Sequence, residues 1–155
     1  MKGIVAGVAL AAFVLSCATD GRIRNGEDRM AKMNEITSLW TQIRQFRAEM
    51  NMPLDPPVSF LTEFKNKTVK DAQRVCPDNH RVPKPCEDNC TLSGHICENA
   101  ELICKIADEL GEHDRAQEKC TSAKASCREA KQKCCNCSVR PPVTTEPPVV
   151  EPVKP

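Results

Sequence analysis

The chain has no tyrosine, one tryptophan and four phenylalanines, so aromatics make up 3% of its 155 residues. A large aromatic core is excluded. It has no excess of either charge: Lys and Arg number 22, Asp and Glu 21, and the formal net charge is +1. A nucleic-acid binder needs a basic surface to release counterions, so that class is excluded too. No apolar run is long enough to cross a bilayer, which takes ~20 residues; the longest, Ile4 to Leu15, falls well short. A G-x-S-x-G nucleophile elbow is missing, as is C-x-x-C-H for haem attachment. No active-site motif is visible, and export speaks for disulfides over a zinc module, so no enzymatic activity and no cofactor is expected. The length suits one domain.

What the chain does have begins with an address. Lys2 precedes the apolar stretch Ile4–Leu15, the charged-then-apolar order of a secretory signal, so residues 1–16 read as a signal peptide. Val14-Leu15-Ser16-Cys17 resembles a bacterial lipobox. The resemblance implies cleavage before Cys17, a thioether lipid on its sulfur and acylation of the new amino end. The membrane then becomes a partner through the N-terminal lipid, and several acyl chains give lasting attachment where one is marginal. Ala18 follows, where aspartate would imply inner-membrane retention, so by analogy with Gram-negative systems the outer membrane is expected. The alternative is an ordinary signal peptide cleaved nearby, for example after Ala18. Loss of residues 1–16 removes Lys2 and no acid, leaving 21 basic and 21 acidic side chains and no net field to steer a partner.

Ten cysteines follow Cys17: Cys76, Cys86, Cys90, Cys97, Cys104, Cys120, Cys127, Cys134, Cys135 and Cys137. An even number in an exported chain reads as a disulfide framework. Cys90, Cys97 and Cys104 are spaced by sevens, and so are Cys120, Cys127 and Cys134. Seven residues are nearly two helical turns, so each triplet lines one helix face. Ser93, Ala100 and Ala107 interleave the first triplet; Ala116, Ala123 and Ala130 interleave the second. Both series step by threes and fours, the a/d pattern of a coiled coil.

Folding the two helices antiparallel gives one register for everything. Cys104 with Cys120, Cys97 with Cys127 and Cys90 with Cys134 share a midpoint at residue 112. The small residues pair about a midpoint half a residue earlier. A disulfide needs Cα atoms within about 4.4–6.8 Å, nearer than most helix pairs approach, and Ala and Ser permit it. Gly111 is placed to end the first arm, and Asp114 with Gln117 reads as a variant capping box opening the second. Cys86 would extend the ladder to Cys137 or Cys135, with Cys76 taking the other; spacing leaves these four undecided. The second arm, Arg115 to Cys135, has no large aliphatic or aromatic residue, so disulfides are expected to hold it.

Elsewhere, Glu27–Met50 is the clearest amphipathic helix, with Met30, Met33, Ile36, Trp40, Ile43, Phe46 and Met50 on its apolar face. Pro53, Pro56 and Pro57 are expected to end it. Ser59–Val75 reads as one weaker helix, burying Phe60, Phe64, Ala72 and Val75. Leu92, Ile96, Ile103, Ile106 and Leu110 form a second face on the first hairpin arm, to be covered by the Trp40 helix. The expected fold is all-α: a small bundle with a disulfide-stapled antiparallel hairpin at one side. Residues 17–26 form a lipidated linker, 27–137 the cysteine-rich helical domain and 138–155 a proline-rich tail holding six of the twelve prolines. Such a tail is disordered, either a spacer or a peptide ligand.

Metal binding is the chief rival. Cys134-Cys135-Asn136-Cys137, Cys86, Cys90 and His95-Ile96-Cys97 are soft donors, but export and the antiparallel register favour disulfides. A copper site from Met30, Met33, Met50, Met52 and His80, His95 and His113 is weaker, since a methionine stripe at helical spacing is usually core. His113 is expected in the hairpin turn and His95 on a helix surface.

The hairpin resembles coiled-coil-helix–coiled-coil-helix domains, but with C-x6-C triplets in place of twin C-x9-C, an architectural analogy only. CTLSGHICENAELICKIADEL with CTSAKASCREAKQKCCNC, taken with the lipobox, resembles uncharacterised cysteine-rich lipoproteins of myxobacteria and related bacteria. The likeness covers about residues 86–137, and no activity carries over with it. The expectation is a non-enzymatic outer-membrane lipoprotein, structural or binding an envelope protein. The alternatives are a periplasmic thiol-based metal binder and a secreted disulfide-rich effector or inhibitor.

Overall fold

The structure, a computed structural model, describes residues 26–77 and 81–137. The signal segment, Cys17 and its linker to residue 25, His80 and the tail 138–155 lie outside the described residues. The described chain is all-α, with no strand: α1 (Gly26–Glu49), α2 (Val58–Phe64), α3 (Val69–Gln73), α4 (Glu87–Leu110) and α5 (Asp114–Cys137). A single 3₁₀ turn, Lys84–Cys86, leads into α4 with Pro85 at its start, where a missing N–H costs nothing. No described helix is long and apolar enough to cross a membrane.

The apolar stripe of α1 meets the second face of α4. Ile36, Trp40 and Ile43 are buried with Ile96, Ile103, Ile106 and Leu110, while Leu92 and Met33 are half-buried at the edge. The two helices run antiparallel, with Lys32 at Glu109 near one end (3.2 Å) and Phe46 beside His95 near the other (5.7 Å). Met30 is not core: it is 67% exposed, because the stripe runs past the end of its cover. Arg47, one turn beyond Ile43, takes a core position instead and is fully buried.

The prolines do not end α1. Asn51 does, with φ +53°. Its N–H donates to Ala48 O and that of Met52 to Arg47 O, a Schellman closure that satisfies two terminal carbonyls. Asn is one of the few non-glycine residues that enters this left-handed region at small cost. Asn51→Gly should therefore hold or slightly raise the melting temperature. Asn51→Val should lower stability by about 1–2 kcal/mol, read by thermal or urea unfolding.

The expected helix over 59–75 is two helices, broken at residues 65–67. The break has a local cause. Thr68 and Asp71 form a capping box: the Thr68 N–H and hydroxyl both donate to Asp71 Oδ2 (2.9 and 2.7 Å), and the Asp71 N–H donates to Thr68 Oγ1 (3.2 Å). These bonds hold the Asp71 carboxyl below its ordinary range, the backbone one contributing most. The cap is therefore intact above the ordinary carboxylate pKa and is lost as pH falls through the lowered one. Phe64 and Ala72 are buried, whereas Phe60 and Val75 are half-buried.

α5 is not at one side of the bundle. It touches all four other helices, and Ala116, Cys120, Ala123, Ala125, Ser126, Cys127, Ala130 and Cys134 are buried along it. A helix of small residues can be approached closely from every direction, so it sits at the centre.

Candidate functional site: the disulfide ladder and its spine

α4 and α5 are joined by Cys104–Cys120, Cys97–Cys127 and Cys90–Cys134, at Cα separations of 4.6, 4.7 and 4.8 Å. Helix axes ordinarily pack ~8–10 Å apart, with Cβ atoms meeting between them. Here Ser93, Ala100, Ala107, Ala116, Ala123 and Ala130 are all fully buried between the bridges, and nothing larger would let the backbones close. The four cysteines that spacing leaves open are joined as Cys86–Cys137 and Cys76–Cys135, at 5.9 and 5.5 Å. Cys134 and Cys137 stand at C-x-x-C spacing, a redox and metal signal, yet each bonds to the start of α4 and not to the other. Cys76–Cys135 is the bridge that ties the α2–α3 segment to α5. Five disulfides point to an oxidising, exported environment.

The hairpin turn is built around Gly111 and His113. Gly111 has φ +66°, a backbone shape that a side chain resists. His113 precedes α5, and its Nδ1 accepts from the Ala116 N–H (3.3 Å), so the imidazole is the N-cap. The Asp114–Gln117 capping box does not form. The Gln117 amide reaches back and donates to Ala107 O and Gly111 O (both 3.1 Å), closing the end of α4.

That use of Gln117 is one of a series along α5. The Lys124 ammonium donates to Lys65 O and Lys67 O (3.2 and 2.8 Å) at the end of α2. Arg128 donates to Arg74 O (2.8 Å), the C-cap of α3, and Lys133 to Asn51 O (3.1 Å) just beyond α1. The C-termini of all four other helices thus meet a donor from α5. Carbonyls at a helix C-terminus lack intrahelical partners and carry partial negative charge, so cations suit them. Lys124 is buried at the contact, and burial pushes its ammonium below its ordinary pKa, opposed by Asp108. Cations over aromatic rings add to the hold: the Lys119 ammonium lies 4.8 Å from the Trp40 ring centre, and the Arg128 guanidinium 5.9 Å from that of Phe64.

Arg47 is the most constrained charge. Its Nε donates to Pro53 O (2.7 Å) and its Nη2 to Glu129 (2.8 Å), while Nη1 has no partner. A single arginine at a core position of α1 could be read off the stripe, since Arg47 follows Trp40 by seven residues. His95 is half-exposed beside Glu98 (3.3 Å), and His80 lies outside the described residues. Among the described residues, no three His, Cys, Asp or Glu side chains are gathered as metal ligands would be.

The ladder carries a prediction. Cys97→Ala with Cys127→Ala should cost about 2 kcal/mol and keep four bridges, because the neighbouring links already hold the hairpin closed. Either single change should do worse, since a lone thiol between two disulfides can exchange with both. Denaturant unfolding and disulfide mapping of the three variants test this; a double variant worse than both singles would contradict the pairing.

The chain matches no known protein family, no curated protein and no solved structure. Fold and ladder together define a disulfide-braced helical module with a small-residue central helix.

Proposed function

We propose that the protein is a non-enzymatic bacterial envelope lipoprotein, anchored in the outer membrane through Cys17 and serving as a structural or protein-binding module. The observation that carries this is the cysteine balance. The ten cysteines after Cys17 bond among themselves, so the framework makes no demand on Cys17, and Cys17 is the one that ends the lipobox. The same balance weighs against the thiol-based metal binder, whose soft donors are consumed in disulfides. A bridged module suits a compartment without ATP-driven chaperones, and the proline-rich segment after Cys137 supplies a spacer or ligand for an envelope protein.

The test is the intact mass of the protein purified from membranes, alkylated before and after reduction. Diacylglyceryl plus acyl mass on the chain beginning at Cys17, with no alkylation until reduction, is expected. Cys17→Ser should move the protein to the soluble fraction, and density-gradient separation should place the unmodified protein with outer-membrane markers. Ready alkylation without reductant would overturn the disulfide module, and an unlipidated chain would favour the secreted effector.

A further inference from the structure

The mature chain is electrically balanced, but its charges are sorted. α4 carries Glu87, Asp88, Glu98, Glu101, Asp108 and Glu109 against Lys105 alone. Its solvent face at mid-length presents Glu98, Glu101 and Leu102, all exposed, with Leu102 at 48%. The α2–α3 segment carries Lys65, Lys67, Lys70 and Arg74 against Glu63 and Asp71. Two of those cations are already paired, Lys67 with Glu63 and Arg74 with Asp71, while Lys65 and Lys70 are exposed. One flank is acidic around an apolar centre and another is basic.

The two lie at the same level along the bundle. From the Cys97–Cys127 bridge, Glu101 is four residues toward the hairpin turn on α4, about 6 Å at the helical rise. Lys124, which holds the carbonyls of Lys65 and Lys67, is three residues toward the same turn on α5, about 4.5 Å. The Gln73–Glu101 hydrogen bond (2.8 Å) fixes α3 at that level as well. α1 starts beside the turn, as the Lys32–Glu109 pair shows, so a lipid at Cys17 tethers every copy by that end. The Gln73–Glu101 bond also makes the acidic and basic flanks adjoining faces of one copy, so a neighbour turned about the bundle axis brings its basic flank to the acidic flank of the first.

We propose that anchored copies of this chain associate laterally, the Glu98–Glu101–Leu102 face of α4 on one against the Lys65–Lys70 segment of its neighbour. The contact joins two different surfaces, so it builds rings or rows and not two-fold pairs. Zero net charge leaves no long-range repulsion to oppose them. The shared orientation of anchored copies rests on the lipid-anchored reading; the charge complementarity does not.

Carbodiimide joins carboxylates directly to amines in contact and suits this interface. Lipidated protein in phosphatidylcholine vesicles at low salt should give dimers and larger species whose cross-links map to Glu98 or Glu101 with Lys65 or Lys70. About 1 M salt, which shortens the Debye length to ~3 Å, should abolish them. Glu98→Lys with Glu101→Lys, and separately Lys65→Glu with Lys70→Glu, should each cut the yield about tenfold or more, since each sets like charges face to face. Mixing the two variants should restore it, because each then supplies the charge the other lost. Resistance to alkylation before reduction checks that both variants keep five bridges. Species that persist in salt, cross-links at other residues, or no restoration on mixing would overturn the proposal. Flotation of the same vesicles reports anchoring separately; if the protein does not float, the same cross-linking in concentrated solution still tests the interface.

Discussion

Reduction of all five disulfides will unfold the protein at 37 °C. Far-UV circular dichroism should fall to a low-helix signal, and all ten cysteines of the described fold should then alkylate without denaturant. The reason lies in α5. Its buried residues are Ala, Ser, Cys and one Lys, which release little apolar surface to the interior. A side chain the size of Leu or Ile contributes about 1.5–3 kcal/mol on burial, and α5 has none. Native bridges in small exported domains are worth about 2–5 kcal/mol each, against total stabilities of about 5–15 kcal/mol. Cysteines that stay protected and a helical signal that survives reduction would mean that the capping contacts hold α5 unaided.

The second large effect should come from Glu129→Ala. Arg47 is fully excluded from solvent and Glu129 is its one acidic partner in the described fold, itself 21% exposed. Removing the carboxylate leaves a buried cation with both Nη groups unpaired, which costs about 3–5 kcal/mol. A domain of this size loses roughly 4–8 °C of melting temperature per kcal/mol, so a drop of more than ~12 °C is expected by calorimetry. Arg47→Met combined with Glu129→Leu should cost clearly less than Glu129→Ala alone, because an apolar pair needs no counter-charge. Equal losses would mean that the arginine acts through packing alone.

The ladder is the most legible part of the molecule. Two heptad triplets of cysteine, each interleaved by Ala or Ser, admit one antiparallel register, and the turn falls where their midpoint lies. Period and residue size carry that information within a single stretch of chain. The α1–α4 contact is legible for the same reason, since both faces repeat at helical spacing.

Misreadings cluster where the deciding contact is local but polar, or distant. The 65–67 break was open to reading in the Thr68-x-x-Asp71 capping box, whose signal is weaker than the apolar pattern running across it. Asn51, not the prolines after it, stops α1, because its left-handed backbone lets the chain close its own carbonyls. Gln117 has the sequence of a capping partner but bonds α4, since His113 already occupies the N-cap.

The sequence by itself determined the helices' periods and the antiparallel register of the ladder. Both are written in spacing along the chain. Only the tertiary structure decided that α5 is the centre, that Arg47 is interior, and that Cys76 bonds Cys135 while Cys86 bonds Cys137. Those outcomes depend on where the ends of α1, α2 and α3 arrive in space. The side chains of α5 that receive them are long and charged, and a hydropathy pattern assigns such residues to solvent. Their tips bond carbonyls that exist as free acceptors only once the other helices have ended beside them.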